Sequence, residues 1–194
     1  MDITQSLIDL LRAAHLMCFA AGMGTAVYFD FQSFKTLNAP ITPQSIEDLK
    51  HLHRWIYVAF AGLWLTGLTL VYVRTSFDIA AFSPKLWLKL GLMTLMLANS
   101  WLIGRFVTPI IKANTGASLL ALPPAKVFFV TQVGVLSMFC WTSGLLLGSS
   151  VVLKTASWAM LLPAAAAWFI LLTLAGQALI VGANILFRAN RRES

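Results

Sequence analysis

The sequence predicts an all-α, polytopic transmembrane helix bundle with five spanning helices. Its 194 residues are 59% hydrophobic and only 11% charged, against about 25% charged in an ordinary soluble domain. Five separate stretches are apolar over the ~20 residues that a helix needs to cross hydrocarbon. The net charge of +7 is carried mostly by Lys and Arg between and after those stretches, where they suit anionic headgroups. A single soluble core has too little volume to hide this much apolar surface, whereas lipid solvates it directly. Membrane lipids are therefore the first expected partner. No long basic run with interleaved aromatics occurs, so no nucleic-acid role is expected.

The first span is expected over about 7–29. No basic residue precedes Arg12, and a cleaved signal peptide wants positive charge there, so this helix is expected to stay in the mature protein. The second covers about 55–73, with a polar helical lead-in from about 43. Thr42-Pro43 reads as an N-cap followed by proline at the first helical position, and Ser45 and Asp48 offer a capping box. Ser83-Pro84 marks the start of the third, about 87–107, in the same way. The segment Thr108 to Lys126 carries Pro109, Gly116, Pro123 and Pro124, and its Leu119, Leu120 and Leu122 suggest a stretch lying on the membrane surface. The fourth span covers about 127–147 and the fifth about 158–187, where Pro163 predicts a kink or a late start. The whole of 1–194 reads as a single transmembrane domain, without internal repeats.

Basic residues near span ends set the orientation. One side collects Lys35, Lys50, Arg54, Arg105, Lys112, Lys126, Arg188, Arg191 and Arg192; the other collects Arg12, Arg74, Lys85, Lys89 and Lys154. The richer side should face the cytoplasm, which puts the N-terminus outside and the C-terminus inside.

Polar groups inside a bilayer are expensive, so they mark the places where chemistry is built. Asp9, Arg12 and His15 step by three along the first helix and form a slowly drifting stripe. Asp9 and Arg12 can pair, and Arg12 can snorkel outward. His15 lies deeper, with Gly22 seven residues on and nearly on the same face. An imidazole near a glycine is what a helix needs to ligate a flat macrocycle, since the glycine leaves room for the ring. The alternative is a histidine hydrogen-bonded to a neighbouring helix. In the third helix Lys89, Met93, Met96 and Ser100 share a face. Lys89 can snorkel, or meet an anionic lipid or a haem propionate. Met93 or Met96 can supply a thioether to iron or Cu(I), or simply pack. His51 and His53 begin the second helix as headgroup-level residues, and His53, Tyr57, Phe60, Trp64 and Gly67 share a face. Gln177 and Asn184 lie seven apart on the fifth span, Asn99 sits mid-span in the third, and Gly144 and Gly148 form a GxxxG. Cys18 and Cys140 fall inside apolar runs and read as buried free thiols. There is no CxxCH, GxGxxG, Walker loop or HExxH, which excludes covalent c-type haem and the common nucleotide and zinc-protease sites.

One combination extends beyond single residues. His15 lies ahead of Gly22-Met23-Gly24, Thr66-Gly67-Leu68 lies in the second helix, and Pro84-Lys85-Leu86-Trp87-Leu88-Lys89-Leu90 opens the third, which continues to Asn99. Over roughly 10–105 this resembles the small bacterial membrane proteins that include the CopD copper-resistance domain, and the HemJ-like (protoporphyrinogen oxidase-like) group. The resemblance implies haem binding, with His15 and Lys89 as the carried-over positions. The chain has Tyr28-Phe29-Asp30 where the HemJ-like proteins carry a further histidine, and no histidine near Asn99. The resemblance thus implies a separate branch with the same bundle rather than the oxidase activity.

The leading expectation is an integral protein of a bacterial cytoplasmic (inner) membrane that binds b-type haem in a redox or electron-transfer role. His15 would be the axial ligand, Gly22 would make room, Arg12 or Lys89 would neutralise propionates, and Met93 or Met96 would be a second ligand. The first alternative is a copper-handling membrane protein, with His15, Cys18 and nearby methionines as soft ligands. The second is a non-catalytic accessory subunit, assembling with a membrane-protein partner or a further copy of itself.

Overall fold

The structure is a computed structural model and describes residues 3–190. It is all-α. Helix α1 spans Ile3–Lys35, α2 Pro43–Thr75, α3 Pro84–Leu102, α4 Thr108–Ala113, α5 Pro124–Ser149 and α6 Trp158–Asn190. A π turn over Ile103–Val107 joins α3 to α4, so that Pro84–Ala113 is one continuous rod. Five helices, α1, α2, α3–α4, α5 and α6, are long and apolar enough to cross a membrane. No strand occurs among the described residues; an isolated bridge pairs Pro40 with Ser118. Arg191 and Arg192, two of the residues behind the expected orientation, lie outside the described residues.

Each helix outruns the apolar stretch that predicts it, because its polar ends carry their own stop and start signals. The backbone N–H of Ser45 donates to Thr42 Oγ1 at 3.1 Å, so α2 starts at Pro43 as its N-cap demands. The reciprocal partner is the Ser45 hydroxyl, 2.8 Å from Thr42 Oγ1. At its other end α2 stops in two residues of left-handed backbone, Ser76 (φ 50) and Phe77 (φ 60). Asp78 then accepts from the Ala80 N–H at 3.0 Å and caps the short 3₁₀ turn Ile79–Ala81.

Pro109 does not end the third rod. Proline lacks an N–H and its ring clashes with the carbonyl four residues back, here that of Arg105. The turn widens instead: the Thr108 N–H bonds to the Ile103 carbonyl, and the Thr108 hydroxyl adds a second bond to the same oxygen at 3.1 Å. Pro163 is likewise carried inside α6, which starts at Trp158 without delay. The 3₁₀ turn Leu119–Ala121 is not spread on a lipid surface. Leu120 and Leu122 are buried together with Leu37 and Val127, and Ile110, Leu119, Ile180 and Ala183 pack around them. The Ile41 N–H donates to the Ala117 carbonyl at 2.9 Å and the Gly116 N–H to the Ile41 carbonyl at 2.8 Å, which fixes this segment. Gly116 has φ 90, a conformation that glycine takes without steric cost.

Contacts divide the chain into two compact units, residues 1–29 with 47–83, and residues 30–46 with 84–194. In the first, α1 packs on α2 through small residues. Gly22 and Ala26 are the buried residues of α1. A Cβ at Gly62 would come within 2.6 Å of Cys18 Sγ, so the helices meet there at a distance only glycine permits. In the second, α5 is the central helix, packed against both α3 and α6. Val127, Val133, Val135, Phe139, Cys140, Trp141, Ser143 and Leu147 of α5 are buried. A Cβ at Gly176 of α6 would come within 2.7 Å of Val135 Cγ2, Phe139 meets Phe169 edge-on at 5.2 Å between centroids, and Trp168 Nε1 donates to Thr142 Oγ1 at 2.9 Å.

The distribution of polarity is that of a protein solvated by lipid. Leu65 (70% exposed), Met17 (72%), Leu174 (63%) and Leu186 (67%) face outward, while the amide of Asn99 is 1% exposed. Water as solvent would reverse that arrangement. The chain is a multi-pass membrane protein.

Candidate functional site

In the first unit the site grows from one hydrogen bond between α1 and α2. His15 Nδ1 lies 2.8 Å from Thr66 Oγ1. The Thr66 hydroxyl in turn lies 2.7 Å from the carbonyl oxygen of Gly62, four residues back on α2. A hydroxyl has one proton to give. With that proton on the Gly62 carbonyl, Thr66 Oγ1 has lone pairs to accept from the ring, an arrangement that requires the tautomer with its proton on Nδ1 and leaves the Nε2 lone pair for a ligand.

Gly67 seats the ring. A Cβ there would come within 3.3 Å of His15 Cε1 and 3.7 Å of Nδ1, so a side chain at this position would press on the imidazole. One turn away, Cys18 Sγ occupies the corresponding space over Gly62. Phe60 and Trp64 lie on the Gly67 side of α2 and meet edge-on, 6.3 Å between centroids. Trp64 Nε1 is buried and donates to no protein group. An indole N–H in that condition costs free energy unless something accepts from it.

The other expected residues divide as follows. Arg12 Nη1 is 2.8 Å from Asp9 Oδ1, with both side chains substantially exposed, so its charge is already matched on its own helix. Gly22 is buried among the small residues of α1, but the glycine against the His15 ring is Gly67 of α2. Lys89, Met93 and Met96 belong to α3 in the second unit: Lys89 and Met93 are half-buried, and Met96 is buried. Lys85 lies in the first turn of the same helix. Its Nζ donates to the Ser150 carbonyl at 2.8 Å, placing a cation on the C-cap of α5, where the helix dipole favours it. His53 stacks obliquely on Tyr57 at 6.1 Å between ring centroids. A Cβ at Gly148 would meet nothing within 4 Å, so that half of the GxxxG is not a close approach inside this chain. Among the described residues, no three His, Cys, Asp or Glu side chains gather to hold a metal ion.

Sequence reasoning missed Thr66 as the partner of His15, and Trp64 as an orphaned donor. A signal existed for the first. Two helices joined by the short link between Lys35 and Pro43 run antiparallel, and stepping outward from that link brings residue 15 level with residue 66. No family model, curated protein or solved structure matches this chain.

Proposed function

We propose that the protein is a b-type haem protein of a bacterial cytoplasmic membrane, with His15 as axial ligand through Nε2. The observation that carries the reading is the His15–Thr66–Gly62 relay. Ligating histidines commonly donate their other ring N–H to a fixed acceptor, which sets the tautomer, orients the ring and raises its basicity. Here a hydroxyl committed to its own helix does this for an imidazole at the middle of an apolar helix.

The residues of the first unit suit the group. Haem brings four nitrogen ligands of its own and asks the chain for one imidazole, whereas a copper ion would draw its ligands from several side chains. The apolar helices that carry His15 and Thr66 favour a lipophilic macrocycle, and Phe60 and Trp64 lie on the same side of α2 as Gly67. The Trp64 N–H is a donor in need of an acceptor, such as a propionate oxygen. When bound, haem supplies a one-electron Fe(III)/Fe(II) couple. The chain's part would be to orient the imidazole through the Nδ1–Thr66 bond and to exclude bulk water with apolar side chains. Arg12, already neutralised by Asp9, is a weaker partner for a propionate than the sequence suggests.

The test is a haem titration of detergent-purified protein followed at the Soret band. The wild type should give a saturable band at one haem per chain, and His15→Ala should reduce it to the level of free haem in the same detergent. A wild type with no saturable band overturns the reading, as does a His15→Ala variant that binds like the wild type.

A further inference from the structure

The second unit carries a separate polar feature that the haem reading does not use. Four buried side-chain atoms there make no hydrogen bond to any protein group: Asn99 Oδ1 of α3, Gln132 Oε1 of α5, and Thr173 Oγ1 and Gln177 Nε2 of α6. The helices bring them to one level. Asn99 Nδ2 donates to the Val133 carbonyl at 3.1 Å, immediately beside Gln132. A Cβ at Gly176, next to Gln177, would lie 2.7 Å from Val135 and 3.8 Å from Thr131, the residues that bracket Gln132. Thr173 and Gln177 are four apart on one face of α6. The four residues therefore lie at the level of the turn Thr131–Val135 of α5.

Their chemistry is specific. The bond from Nδ2 to Val133 fixes the Asn99 amide with its oxygen as an acceptor. Thr173 departs from the habit of its neighbours: Thr66, Thr69, Thr94 and Thr142 each give their proton to the carbonyl four residues back, and Thr173 does not. The set thus offers two acceptors, Asn99 and Gln132, and two donors, Thr173 and Gln177. No member is charged, so no ion is called for. A molecule that donates twice and accepts twice satisfies all four, and a water does so with its ordinary tetrahedral valence.

We infer that this three-helix junction is a binding site for internal water, held by Asn99, Gln132, Thr173 and Gln177. The water replaces direct helix-to-helix bonds where Gly176 brings α6 closest to α5. It links α6 to the pair α3 and α5, which the Asn99–Val133 bond already joins at this level. Removing one member strands the others, so single substitutions should be more damaging than their apolar character suggests.

X-ray radiolytic labelling of the full chain in detergent tests this, because hydroxyl radicals form from water on the spot and oxidise the side chains beside it. Met96, 6% exposed and one turn from Asn99, should be oxidised. Cys140 and Trp141, each 1% exposed and about two turns along α5 from Val133, should be spared despite their reactivity. In Gln132→Leu the Met96 rate should fall at least several-fold, and Gln177→Leu repeats the test should the first variant fail to fold. Met96 labelling no faster than that of Cys140 and Trp141 in the wild type overturns the inference. So does an unchanged Met96 rate in a folded variant.

Discussion

The two units solve the same problem, helix association in lipid, in different ways. The first holds α1 to α2 with small residues and one polar bond: Gly62 and Gly67 admit Cys18 and His15 at close range, and His15–Thr66 adds direction. The second packs volume around α5, with Trp141, Phe139, Cys140 and Leu147 buried and one aromatic pair, Phe139–Phe169, against α6. Lipid tails are as apolar as leucine, so burial of apolar area alone drives little association. The first unit carries the histidine, and the second carries the buried amides.

The largest expected effect separates the units functionally. His15→Ala should abolish saturable haem binding while leaving the detergent-solubilised protein folded by circular dichroism, since it removes one polar bond and no large volume. The opposite pattern, with haem retained and the fold lost, would make His15 a structural residue. Next is Thr66→Val, which keeps the shape and removes the acceptor. Loss of such an orienting partner typically costs about 10–100-fold in affinity, so haem titrations should weaken to that extent without losing the band.

The third effect belongs to packing. Gly176→Val places a side chain where a Cβ alone already overlaps Val135. Overpacking of this kind costs about 1–3 kcal/mol, so thermal unfolding in detergent should shift down, while Gly148→Val, in open space, should not shift it. If Gly148→Val instead lowers an oligomer's stability and leaves the monomer's alone, the GxxxG faces another chain. The smallest effect is expected for Trp64→Phe. Removing an orphaned buried N–H should be neutral or slightly stabilising without haem, and modestly weakening with it, so haem should protect the wild type more than the variant against heat.

The fold was largely legible from the apolar stretches: all five spans stand where composition puts them, and Thr42-Pro43 and Ser83-Pro84 start their helices as caps and prolines dictate. What hydropathy could not give was the course of the chain at prolines. Pro109 reads as a breaker, yet a π turn absorbs it, because Thr108 supplies both a backbone and a side-chain donor to the Ile103 carbonyl. Leu120 and Leu122 read as lipid-facing because hydrophobicity does not say whether a leucine's neighbour is lipid or protein. The candidate site was half legible. A histidine in an apolar helix stands out, but its partner is a threonine that an isolated helix would simply turn onto its own backbone, and only the pairing of α1 with α2 exposes its role. Spacing puts Gly22 on nearly the same face as His15, whereas the glycine against the ring, Gly67, lies across the helix pair.

Haem ligation by His15 turns on the protonation of one ring, and the chain has only three histidines, which makes a nitrogen-15 spectrum of histidine-labelled protein in bilayers readable. Assigned by comparison with His15→Ala, the His15 imidazole should be neutral, with its proton on Nδ1 and Nε2 bare before haem is added. In Thr66→Val that preference should weaken. A His15 signal from the opposite tautomer, protonated at Nε2, would contradict the relay and with it the proposed ligand.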